Sequence, residues 1–84
     1  MMTALDEPIV VGAVFGGGKK LRPVWFLWKG REHRIKNENA IWTTREGRAA
    51  VYHFSVSDGS DLYQICYNTE AMTWRLRGVE TDGS

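Results

Sequence analysis

The chain reads as an all-β domain, an antiparallel meander of about six short strands forming a strongly coiled sheet or a small barrel. Three observations predict it: apolar and polar residues alternate over short runs, turn formers recur every few residues, and no apolar pattern of helical period is long enough to stand alone. A flat meander would leave one apolar face wet. Closure into a barrel or pairing into a dimer is the expected cure.

The first strand is expected over Pro8 to Phe15, a β-branched run interrupted by Gly12, and Gly16-Gly17-Gly18 ends it in a loop that leads to Lys19 and Lys20. The clearest element comes next. Residues 22–36 form a hairpin about Lys29-Gly30, because glycine in the second place suits a two-residue primed turn. Counting outward pairs Trp28 with Arg31, Leu27 with Glu32, Phe26 with His33, Trp25 with Arg34 and Val24 with Ile35. Val24, Phe26, Trp28 and Ile35 then face inward. Trp25 and Leu27 share the outer face with Glu32, Arg34 and Lys36, where a guanidinium can lie on an indole.

Asn37-Glu38-Asn39 reads as a turn and Ala40 to Thr44 as a short strand, closed by Arg45-Glu46-Gly47-Arg48. From Ala50 to Val56 strict alternation sends Tyr52, Phe54 and Val56 to the core and Val51, His53 and Ser55 to the other side. Ser57-Asp58-Gly59-Ser60-Asp61 is dense in turn formers. Leu62 to Tyr67 returns as a strand with Tyr63, Ile65 and Tyr67 in phase. Asn68 to Met72 has the length of one helical turn, and Thr73 to Arg77 is a last strand with Trp74 and Leu76 inward. The whole is expected to be one small domain, 1–84, with its core in 8–77 and frayed ends.

Eighty-four residues support one core, and ten aromatic rings, four of them tryptophan, give it a large buried area per residue. Cys66 is the sole cysteine, so neither an intrachain disulfide nor a cysteine zinc site is available. A reducing, cytoplasmic setting is expected, and the chain shows neither a leader pattern nor an apolar run of membrane-spanning length. The net charge is +1, unevenly spread: residues 1–18 carry two acids and no base, residues 19–36 seven bases and one acid, and residues 37–84 four bases and seven acids. The middle third is a basic block.

Pro23-x-x-Phe26-x-Trp28-x-Gly30-Arg31-x-His33-x-Ile35, followed by Trp42, resembles a group of short uncharacterised bacterial proteins and C-terminal domains. Their pattern is Phe-x-Trp-x-Gly-Arg-x-Tyr-x-Ile, and some accompany error-prone polymerase-like repair proteins. The likeness covers about a quarter of the chain, with a fainter echo around Tyr52 and in Trp74-x-Leu76, and His33 stands where the group more often has tyrosine. The resemblance implies a compact β domain of unknown role, in the neighbourhood of DNA metabolism.

The chemistry-bearing residues are few. His33 and His53 are the only histidines, and His33, opposite Phe26, is expected to be partly buried and hydrogen-bonded. Neither sits at metal-ligand spacing with a third group, so no metal or cofactor is expected. Cys66, between Ile65 and Tyr67, reads as a small apolar side chain rather than a nucleophile. Gly16-Gly17-Gly18-Lys19-Lys20 lacks the glycine a phosphate loop needs where Ala13 stands, and the hydroxyl residue it needs where Lys20 stands. Asp58-Gly59-Ser60-Asp61 is explained by turn chemistry and is too short for a calcium loop.

Two functional readings remain. The first is a noncatalytic protein-interaction module, self-pairing as a homodimer or binding a partner, because Trp25 and Leu27 are apolar residues on a charged face. The second is single-stranded nucleic-acid binding through Lys19, Lys20, Arg22, Trp25, Leu27, Arg34 and Lys36, which combine phosphate-neutralising charge with a stacking ring. A hydrolase or transferase ranks last for want of a paired acid and base.

Overall fold

In the computed structural model, which describes residues 2–16 and 21–81, Lys29 and Gly30 both stand at positive φ, 52° and 74°. That is the primed two-residue turn the sequence predicts, and it fixes the hairpin's register. Arg22–Trp28 pairs with Arg31–Arg34 through Trp25–Arg34, Phe26–His33, Leu27–Glu32 and Trp28–Arg31, and the Ile35 N–H donates to the Val24 carbonyl at 3.0 Å.

Eight strands, all antiparallel, are found among the described residues: β1 (Thr3–Pro8), β2 (Val10–Val14), β3 (Arg22–Trp28), β4 (Arg31–Arg34), β5 (Asn37–Glu46), β6 (Ala49–Ser57), β7 (Asp61–Asn68) and β8 (Thr73–Thr81). They form two open sheets, ordered β1-β8-β7-β6-β5 and β2-β3-β4. The expected all-β meander is therefore present, but the expected barrel is not: the small sheet covers one face of the large one instead. The predicted strand over residues 8–15 is divided. Proline has no N–H to continue the ladder, so β1 ends at Pro8. The Ile9 N–H makes one more bond, to the Trp74 carbonyl at 3.2 Å, before the chain passes into the other sheet as β2.

Two further expectations change and one holds. Ordered strands reach beyond 8–77, since Thr3 pairs with Val79 and Asp61 with Thr81. Asn37 to Asn39 is not a turn but the start of β5, with a bulge between Glu38 and Ala40 that absorbs the extra residue. Asn68 to Met72 does make a single tight turn, closed by the Met72 N–H on the Asn68 carbonyl at 2.8 Å.

The core lies between the sheets. Phe26 from the small sheet packs on Phe54, Val56, Tyr63, Ile65, Leu76 and Val79 from the large one, with Leu5, Ile9, Val11, Leu21, Trp28, Ile35 and Trp74 around it. Burying a side chain such as Phe26 or Leu76 contributes about 1.5–3 kcal/mol. Tyr52 points to the predicted side but is half-wet, because the small sheet does not extend over it. On the opposite face of the large sheet Val51 and Cys66 are buried, with the Arg77 guanidinium 3.7 Å from the Cys66 sulfur. No helix among the described residues is long and apolar enough to cross a membrane.

Candidate functional site

Alternation in β3, reset by the extra residue Val24 between the Gly12–Trp25 and Ala13–Pro23 pairs, divides the basic block between two surfaces. Arg22, Trp25, Leu27 and Arg34 fall on the outer face of the small sheet, with Val10 from β2 beside Leu27. Trp25 is not an open ring there. Its indole lies across Gly12, where a Cβ would overlap the ring atoms, so absence of a side chain at position 12 is what lets the indole lie flat. Arg34 turns to Glu32 at 3.6 Å, and the cation lying over an indole is Lys29, 4.9 Å from the Trp28 ring. Leu27 is 38% exposed. Lys36 stands apart, its chain against Gly59 at the β6–β7 turn. Lys19 and Lys20 lie outside the described residues. The structure thus brings Arg22, Trp25, Leu27 and Arg34 onto one face and sets Lys36 at its rim, which Arg34 also lines.

That rim encloses a polar recess of about 420 Å³. Its floor is a cluster joined from distant segments: His33 of β4, Asp58 of the turn, and Asp61 and Tyr63 of β7. Asp58 Oδ1 accepts the N–H groups of Ser60 and Asp61, each at 2.9 Å, and its Oδ2 lies 3.3 Å from His33 Nδ1 and accepts from the Tyr63 hydroxyl at 3.2 Å. Burial alone would raise the Asp58 carboxyl. The backbone N–H groups, His33 and Tyr63 outweigh it and hold the group below its ordinary value. Burial, reinforced by the neighbouring Asp58 and Asp61 carboxylates, pushes the Tyr63 phenol far above its usual range. His33 also stacks on Phe26, with centroids 4.9 Å apart and planes 13° apart. The partly buried, hydrogen-bonded role expected for His33 is what is found, and its partner is the turn. The cluster clasps the small sheet to the large one. A second clasp is the Trp28 indole N–H donating to Glu7 Oε1 at 3.0 Å.

The third surface was missed by sequence reasoning. Where the large sheet outruns the small one, an apolar cleft of about 580 Å³ opens, walled by Phe15, Leu21, Ile41, Tyr52, Met72 and Trp74. Phe15 and Met72 at its mouth are 79% and 73% exposed. One wall is β5, an edge strand with all ten residues exposed and a centre, Ala40-Ile41-Trp42-Thr43-Thr44, that carries no charge. On the far face of that strand Trp42 stacks flat on His53, 5.3 Å between centroids and 5° between planes, and Thr44 Oγ1 lies 2.7 Å from His53 Nε2. Burial, helped by the charge of Arg77, lowers the His53 pKa and favours its neutral form. The visible signal for this surface was the uncharged Ala40-to-Thr44 run, read as a strand but not as an edge.

Among the described residues no three His, Cys, Asp or Glu side chains converge as a metal site. Comparison with protein-family models, with curated proteins and with solved structures finds no match for the chain.

Proposed function

We propose that this protein is a noncatalytic protein-interaction module whose contact surface is the β5 edge and the apolar cleft beside it. The observation that carries the reading is the β5 edge itself: ten exposed residues, uncharged in the middle, with backbone groups on the outer side that no strand among the described residues pairs. Edges of this kind are ladders for an incoming strand, and natural sheets blunt them with charge, proline or bulges when they are meant to stay free. The adjoining cleft offers pockets for alternate side chains of such a strand. The surface differs from the Trp25–Leu27 face that the sequence alone favours, because Trp25 is already packed on Gly12.

A photo-reactive residue placed at Thr44, and separately at Arg34, tests this in the expressing cell. Adducts from position 44, to any protein including a second copy, and none from position 34, are expected. Absence of adducts at 44 overturns the proposal.

Single-stranded nucleic-acid binding is the second reading, supported by Arg22, Arg34 and the part-exposed Trp25 sharing a face, and by the resemblance to domains found near DNA repair. Against it stand the Glu32 carboxylate beside Arg34 and a net charge of +1, which weaken the phosphate attraction that dominates such binding.

A further inference from the structure

We propose that the occupant of the β5 edge is a second copy of this chain, paired antiparallel about a twofold axis at Trp42 so that the two large sheets become one. The inference rests on the reading of β5 as the contact surface and names its partner.

Symmetry narrows the register. Identical edges join antiparallel only about an axis perpendicular to the sheet, which keeps like faces together, so each residue must meet a partner residue of its own face. The axis therefore passes through a residue, and the uncharged run offers three central choices, Ile41, Trp42 and Thr43. On β5, Ile41 and Thr43 stand opposite Phe54 and Tyr52 on the core-side face, whereas Trp42 and Thr44 stand opposite His53 and Val51 on the other. The bulge at Asn39 slips the count by one, so that Glu38, opposite Val56, returns to the core-side face.

With the axis at Trp42, Ile41 meets the partner's Thr43, Ala40 meets the partner's Thr44, and Glu38 meets the partner's Arg45 on the same face, each contact made twice. With the axis at Ile41, Lys36 meets the partner's Arg45, like against like. With the axis at Thr43, Ile41 meets the partner's Arg45, Ala40 meets the partner's Glu46, and Glu38 gains no base. Only the Trp42 register sets acid against base while keeping Ala40 to Thr44 uncharged against uncharged, with Asn37 left opposite the partner's Glu46; opposite charges directly across a ladder stabilise it and like charges oppose it.

The remaining edges are poorer choices. β1 carries Asp6, Glu7 and Pro8, three of the four residues of β4 are charged, and β2 is only five residues long, its register with β3 shifting between Gly12 and Ala13. Past its own bulge, β5 has seven consecutive residues from Ala40 to Glu46 in unbroken register with β6. The pairing would place both apolar clefts on the same side of the joint sheet, with Ile41 of each copy near the axis.

Light scattering of the purified chain over a concentration series reads the mass. Twice the 9.6 kDa of one chain is expected at high micromolar concentration, and a monomer throughout overturns the proposal. Register is read by cysteine pairs, with the unsubstituted chain as the control for buried Cys66. Oxidising a mixture of Ile41→Cys and Thr43→Cys should give covalent dimer well above that from either variant alone; equal yields overturn the Trp42 register. Both sites are exposed or at the rim, and the charge pair supplies a route independent of thiols. Glu38→Arg and Arg45→Glu should each weaken the dimer and together restore it, whereas no rescue counts against the pairing. If the chain is monomeric yet position 44 still crosslinks to another protein, this inference falls and the interaction reading stands. If position 44 gives no adducts, both fall.

Discussion

Replacing Asp58 probes the clasp between the sheets and the turn at once. In Asp58→Ala two N–H groups lose their acceptor, the Tyr63 hydroxyl keeps Asp61, 3.4 Å away, and His33 Nδ1, 3.3 Å away, and His33 loses the carboxylate. An acceptor of the N-cap type contributes about 1 kcal/mol. A hydrogen bond from the buried Tyr63 to a charged group adds about 1.5–3 kcal/mol. The expected loss is therefore about 2–4 kcal/mol, a large share of the about 5–15 kcal/mol typical of a domain. Asp58→Asn separates the terms: the amide oxygen can still accept the turn N–H groups, so only about 1–2 kcal/mol should go. Urea unfolding followed by tryptophan emission measures both. The pH dependence supplies the sharper check. Because the folded carboxyl titrates below its ordinary 3.8, the unfolded chain binds more protons between the two values. Its contribution is complete above the unfolded value and is lost as pH falls through the folded one. The unsubstituted protein should lose this stability in strong acid, and Asp58→Asn should lack that part of the decline. Parallel acid profiles for the two proteins, or an Asp58→Ala loss below about 0.5 kcal/mol, would refute the reasoning.

Two more predictions are open to measurement. Gly12→Ala forces a Cβ into the Trp25 indole and should cost about 1–3 kcal/mol, with the ring displaced outward and the emission shifted to the red; an unchanged spectrum and midpoint would contradict the packing described. Burial raises the Cys66 thiol above its ordinary value despite the nearby Arg77, so a disulfide reagent at neutral pH should modify the native protein far more slowly than the urea-unfolded chain, and equal rates would count against it.

The hairpin was legible because every local signal agreed. Lys29-Gly30 demanded a primed turn, and alternation from Val24 to Ile35 left one sensible register. The phase of Phe54, Val56, Tyr63, Ile65 and Leu76 was legible for the same reason. What could not be read was how strands group into sheets. Pro8 marks the break between β1 and β2, but nothing local says that the two halves join different sheets, since their partners lie far along the chain. The clasp was hidden likewise: His33 and Asp58 are 25 positions apart, and each alone looks like a satisfied core ring and an ordinary turn. Trp25 was assigned the correct face but not its cover, which depends on Gly12 arriving from another strand.

The pairing of Thr3 with Val79 has a consequence for how the molecule comes into being. Thr3 stands 76 positions before its partner, so the seam between β1 and β8 closes only after the whole stretch between them is available, however early the Lys29-Gly30 hairpin forms. Contacts so distant along a chain slow the search for the native arrangement. Removing residues through Ala4 should therefore open that seam alone, whereas removing residues from Gly78 onward should open it and break the ladder with β7 as well, at a larger cost in stability.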